Sequence, residues 1–218
     1  MQDFTLVTGI VIKQAPVGES DRRVTLLTNS MGKISAFARG ARKPNSRFSA
    51  TTCPYCFGTF KLFLGRDSFT IADADISNHF EGLLGDVEGS CYCAYFAEIV
   101  DYYCRENNDE REMMKLLYTS LLAILSEKLP NRLVRSVFEL KSIMINGEYP
   151  GTPSFMPVSN GLLQTLEFIR TTPIKSLYTF NVTDDILLEL EKVADKYRKM
   201  VMEHSFKSLE ILECMVSQ

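Results

Sequence analysis

Phe37-Ala-Arg-Gly-Ala-Arg-Lys-Pro-Asn-Ser-Arg-Phe48 separates two strand-like runs and carries Arg39, Arg42, Lys43 and Arg47 within nine residues. Gly40 allows a positive φ or a close backbone approach, and Pro44 denies the segment a regular helix. Such a loop can wrap a phosphate chain and offer the rings of Phe37 and Phe48 to bases, or it is a solvated basic turn with both rings in the core. On its N-terminal side lie three runs rich in β-branched and apolar residues, Thr5–Gln14, Arg23–Thr28 and Lys33–Ala38. Pro16–Asp21 and Asn29–Gly32 punctuate them as turns, and Gly9 inside the first run suggests a bulge or bend. On its C-terminal side Phe57–Leu64 and Ser68–Ile76 alternate as strands across Gly65-Arg-Asp. Five short strands with one long connection fit a small closed barrel, and their periodicity is also compatible with an open sheet or an SH3-like arrangement.

After residue 80 the apolar period becomes helical. Glu88–Arg105 places Cys91, Ala94, Tyr95, Ile99 and Tyr102 on one stripe, and a second helix from about Asp109 to Lys128 presents Met113, Leu116, Leu117, Leu121 and Ile124. Asn131–Asn146 carries Leu133, Val137, Leu140, Ile143 and Met144, with Gly147 as its stop. After a Pro-rich loop, Ser159 or Asn160 caps a short helix to about Arg170. Thr183-Asp-Asp reads as a hydroxyl cap with two carboxylates at the positive end of the dipole, opening a helix to about Glu203. Phe206–Met215 is a last helical piece. The expected class is therefore α+β, an N-terminal β-barrel domain over 1–80 followed by an α-helical domain over 81–218.

The 218 residues are 45% hydrophobic and 23% charged, with a net charge of −3 that is unevenly spread. Residues 1–80 sum to +4 and the remainder to −7, so the two parts suit different partners. No stretch reads as a signal peptide or a membrane span, which leads us to expect a cytoplasmic protein with no membrane partner. Two His and no HExxH, GxSxG, GxxxxGK[ST] or GxGxxG give little support for an enzyme. Cys53-Pro-Tyr-Cys56 is a CxxC, but Cys91-Tyr-Cys93 is a poor second pair for zinc, and the run after Cys56 reads as a strand where a redox CxxC would open a helix. We expect structural thiols, no metal and no cofactor.

Thr8-Gly-Ile-Val-Ile-Lys13, Gly18-Glu-Ser-Asp21, Leu27-Thr28, Gly32-Lys33, Arg39-Gly-Ala-Arg42 and Ser46-Arg47 together resemble the N-terminal domain of the RecO recombination-mediator family. Phe138-Glu-Leu140 with Gly147 and Pro150, and His204-Ser-Phe-Lys-Ser-Leu209, resemble that family's C-terminal part, so the likeness runs in order along nearly the whole chain. It implies an N-terminal OB-fold, binding of single- and double-stranded DNA, annealing of complementary strands, and help with RecR in loading RecA onto strands coated by single-strand-binding protein. Many members also carry a four-Cys zinc site after the Gly…Pro segment. Gly147–Ser159 contains no Cys here, so no zinc is expected.

The candidate DNA-binding residues are Arg39, Arg42, Lys43 and Arg47, with Lys13, Arg22, Arg23, Lys33, Lys61 and Arg66 as weaker candidates on the barrel. The resemblance places the acidic tail of single-strand-binding protein on the helical part, where Arg132, Arg135 and Lys141 could form a basic rim. An OB-fold RNA-binding protein without a recombination role is the alternative, and a thiol or metal protein using Cys53 and Cys56 is a further one.

Overall fold

A computed structural model describes residues 4–65 and 68–216. Its elements are strands β1 (Phe4–Val17), β2 (Asp21–Thr28), β3 (Gly32–Ala38), β4 (Phe57–Leu64) and β5 (Phe69–Asn78). The helices are α1 (Phe48–Thr51), α2 (Val87–Tyr103), α3 (Arg111–Ser126), α4 (Asn131–Ile145), α5 (Asn160–Thr171), α6 (Asp184–Val201) and α7 (Lys207–Val216). The chain divides into two compact units: residues up to Gly82 with Ala97–Met114, and Leu83–Phe96 with the chain from Lys115 onward.

In the first unit the strands close as β1-β2-β3-β5-β4, with β3 and β5 parallel and the other pairs antiparallel. This is the five-stranded Greek-key barrel of the OB-fold. Closure works because β1 is long enough to serve two neighbours. Its first half pairs with β4 (Phe4↔Phe63 to Ile10↔Phe57) and its second half with β2 (Gly9↔Thr28 to Val17↔Asp21). The bulge expected at Gly9 lies instead between Val11 and Lys13, while Gly9 keeps regular register on both sides. Alternate residues turn Val7, Val11, Val24, Leu26, Ile34, Ala36, Phe60, Leu62 and Ile71 into one buried core.

The β2–β3 turn is fixed by residues 105–107 of the same unit. Lys33 N–H donates to the Arg105 carbonyl (2.9 Å) and Asn107 N–H to that of Met31 (2.9 Å). Gly32 has φ +66°, and a Cβ there would lie 2.2 Å from the Arg105 oxygen, so this approach needs glycine.

In the second unit α4 packs on α5 and α6. Leu133, Val137, Leu140 and Ile143 are buried as expected. Ser159 caps α5, its hydroxyl accepting from Leu162 N–H (3.1 Å). Thr183 stands at the N-cap of α6 in extended backbone, but its hydroxyl makes no cap hydrogen bond. The stripe expected on α2, which begins in the second unit and ends in the first, is incomplete. Tyr92, Cys93, Phe96 and Val100 are buried as fully as Tyr95 and Ile99, whereas Cys91, Ala94 and Tyr102 are half-buried. A helix buried on most sides has no single apolar face to read.

Candidate nucleic-acid interface

The loop after β3 is a chain of tight turns. Lys43 N–H donates to the Gly40 carbonyl (3.0 Å) and Ser46 N–H to that of Lys43 (3.2 Å). Gly40 adopts φ +67°, and the connection then closes into the single helical turn α1, which its sequence does not announce. The loop is tied to the β1–β2 turn: Gly40 N–H donates to Asp21 Oδ1 (2.7 Å) and Arg42 N–H to the Ser20 carbonyl (2.9 Å). That hydrogen bond from Gly40, with one from Ser20 and the charges of Arg39 and Lys43, holds the Asp21 carboxyl below its ordinary value.

The structure presents Arg39, Arg42, Lys43 and Arg47 exposed on this loop. Arg42 Nη1 donates to the Gly18 carbonyl (2.9 Å). Arg22, at the start of β2, donates from Nη1 to Thr52 Oγ1 (2.8 Å) and the Ser49 carbonyl (3.1 Å), which fixes it against α1. Among the described residues no carboxylate lies within 4 Å of the charged ends of Arg22, Arg23, Arg39, Arg42 or Lys43. Arg47 does have one, pairing with Asp73 (3.3 Å) while its guanidinium sits 4.7 Å from the Phe48 ring centroid. Phe48 itself is buried in the barrel core and Phe37 is half-buried.

The remaining barrel candidates stand apart from this group. Lys33 is largely covered and pairs with Asp101 (2.8 Å), which Lys13 also approaches at 3.5 Å. Burial works against the Asp101 carboxylate, but these two ammonium groups outweigh it and keep its pKa below the ordinary value. Lys61 lies over the Phe4 ring, 3.7 Å from its centroid. Arg66 lies outside the described residues.

In the helical unit the three predicted rim residues have different surroundings. Arg132 forms a two-pronged pair with Glu191. Arg135 is mostly covered, with Nε donating to Glu139 (3.0 Å) and Glu213 at 3.8 Å. Burial opposes its charge, but the adjacent Glu139 carboxylate raises its pKa further. Lys141 does not reach that rim. It is buried, and Nζ donates to the carbonyls of Ile169 (2.8 Å), Arg170 (3.2 Å) and Thr172 (3.1 Å), closing the C-terminal end of α5. Glu139, 1% exposed, was not singled out by the sequence, yet it also accepts from Tyr95 Oη (2.5 Å) and has Arg198 Nε at 3.8 Å. Its spacing of four from Arg135 was the only local signal of this role, since Tyr95 and Arg198 are distant in sequence.

Among the described residues no three His, Cys, Asp or Glu side chains are placed to hold a metal ion. Cys56 is buried with its Sγ 3.5 Å from His79 Nδ1, and burial pushes its thiol up to about 11, away from the thiolate that metal binding or redox chemistry needs. Among the described residues no helix is long and apolar enough to cross a membrane.

Residues 1–80 match the family model described as "Recombination protein O N terminal". The whole chain is similar to the DNA repair protein RecO of Acetivibrio thermocellus, 28% identical over 98% of both chains. It is also similar to that of Clostridium perfringens, 26% identical over 94% of this chain and 96% of the relative. The likeness to RecO proteins thus runs along nearly the whole chain, and the family model covers its N-terminal part. A RecO of an Exiguobacterium species is 34% identical over 118 residues, covering 54% of this chain and 47% of that one. The matched N-terminal residues take in all five barrel strands and the basic loop.

Proposed function

We propose that this protein acts in DNA repair and recombination by binding rather than by bond-making chemistry. It holds single- and double-stranded DNA on the barrel, anneals complementary strands, and with RecR assists RecA loading onto strands coated by single-strand-binding protein. The observation that carries the reading is the cationic group Arg22, Arg23, Arg39, Arg42 and Lys43, of which Arg22 and Arg42 are oriented by carbonyl and hydroxyl oxygens, and none of which has a carboxylate within 4 Å among the described residues. A guanidinium oriented by a carbonyl keeps its full charge for phosphate, and each neutralised phosphate releases counterions. Annealing follows from the same physics, since a cationic surface lowers the repulsion between two strands while leaving base edges free to pair. The helical unit is the reading for protein partners. There Arg132 and Arg135 are the candidates to meet the acidic tail of single-strand-binding protein, Arg135 lining a cleft of about 320 Å³ together with Lys192 and Lys199 but also with Glu139, Glu191, Asp195 and Glu213.

The deciding experiment is annealing of two complementary oligonucleotides, bare and coated by single-strand-binding protein. Wild-type protein accelerates it, and Arg39→Ala/Arg42→Ala/Lys43→Ala/Arg47→Ala, still folded, loses the acceleration. Acceleration that survives the four substitutions moves the site elsewhere. None at low salt, with tighter binding to RNA than to DNA of equal length, replaces this reading with an OB-fold RNA-binding protein.

A further inference from the structure

At the loop end of the barrel a cleft of about 250 Å³ is lined by Gln14, Ala15, Pro16, Arg22 and Arg42. Gln14 is the residue in it that the basic-loop reading leaves without a role. It pairs with Val24 in the β1–β2 ladder and Pro16 pairs with Arg22, so Gln14, Val24 and Arg22 share one face of the sheet. Val24 is fully buried, so that face is the inward one. Lys13, one residue earlier, is exposed on the other face. The Gln14 side-chain oxygen is buried and has no hydrogen-bond partner among the described residues. Buried polar atoms are almost always paired, and an orphan beside a cleft asks for a ligand that supplies the missing group.

The missing group is a donor, which a phosphate does not offer. Every unpaired nucleobase carries an N–H on its Watson–Crick edge, and a carboxamide, with one acceptor and two donors, can meet any of the four bases. Pro16 gives the cleft apolar surface for a ring face, and Arg22 and Arg42 bring two charges without a carboxylate within 4 Å among the described residues for the adjoining phosphate. Resting on the DNA-binding reading above, we infer that this cleft seats one unpaired base of a single strand, its hydrogen-bonding edge on Gln14 and a flanking phosphate on Arg22 and Arg42. In a duplex that edge is already occupied by the complementary base, so Gln14 contributes to single-strand binding alone. Gln14 thereby sets a preference for strand type without sequence preference, while the exposed cations serve both forms.

The test is fluorescence anisotropy of a labelled oligothymidylate, a mixed-sequence duplex of the same length, and a wholly abasic single strand, with wild type and Gln14→Leu. Leucine retains the volume and removes the orphan polar atom, so the variant should melt no lower than wild type; Gln14→Met serves if it does not fold. We expect Gln14→Leu to bind oligothymidylate about five-fold more weakly, the worth of one hydrogen bond. Duplex and abasic strand should bind as they do to wild type. Unchanged affinity for oligothymidylate overturns the inference, as does an equal loss on all three probes, which would make Gln14 a backbone contact or a structural residue. Wild type that binds none of the three fails the DNA-binding reading itself, a result distinct from either.

Discussion

The arginines at the end of the barrel and those of the helical unit are held by opposite means. Arg22 and Arg42 are oriented by carbonyl and hydroxyl oxygens, which fix direction and leave the charge uncancelled. Arg132, Arg135 and Arg198 each lean on carboxylates: Glu191, Glu139 with Glu213, and Asp195. The same residue type therefore serves an external anion in one place and internal order in the other. Which it does depends on the oxygen it meets, because a carboxylate neutralises while a carbonyl only positions.

This contrast is open to direct attack, beginning where the effect is largest. Glu139→Ala strips Arg135, Arg198 and Tyr95 of their shared acceptor in a buried site, and should destabilise the helical unit by about 3–5 kcal/mol in denaturant unfolding. A loss below ~1 kcal/mol would show that solvent replaces the carboxylate. Lys141→Met leaves three carbonyls at the end of α5 without their donor and should cost about 2 kcal/mol by the same measurement.

Within the barrel unit, Asp101→Asn removes the partner of Lys33 and Lys13 and should cost about 1 kcal/mol, its part-exposure limiting the effect. The folded-state pKa of Asp101 is lowered, so its contribution is present above the unfolded value of 3.8 and fades as pH falls through the folded value. The difference between wild type and Asp101→Asn should thus shrink below about pH 4, and a difference constant down to strong acid would remove the pair as its origin. Arg132→Ala, with an exposed pair, should change stability by about 0.2–1 kcal/mol. Arg39→Ala and Lys43→Ala should lie within about 0.5 kcal/mol of wild type, because neither side chain has a hydrogen bond or ion pair among the described residues. A large destabilisation by either would return the loop to a structural role.

How far these roles could be read from the sequence followed how local their causes are. The five strands were legible because alternation and turn residues act within a few positions, and Gly40 showed its positive φ for the same reason. The inward placement of Gln14 was hidden because the bulge between Val11 and Lys13 resets the alternation, and nothing in that run marks the slip. Lys141 and Arg135 looked like surface cations on an amphipathic helix. Their partners, at Ile169–Thr172 and Glu213, are distant in sequence, and only Glu139 at four residues was within reach of a local pattern.

The most direct test of the account is the salt dependence of single-strand affinity for wild type, Arg39→Ala/Arg42→Ala/Lys43→Ala and Arg132→Ala. Each phosphate contact contributes a slope of about −0.7 in log K against log salt, so the triple variant should flatten the slope by about 2 while Arg132→Ala leaves it unchanged. An unaltered slope in the triple variant, or an equal flattening by Arg132→Ala, would contradict the claim that the cations of the barrel loop hold the DNA.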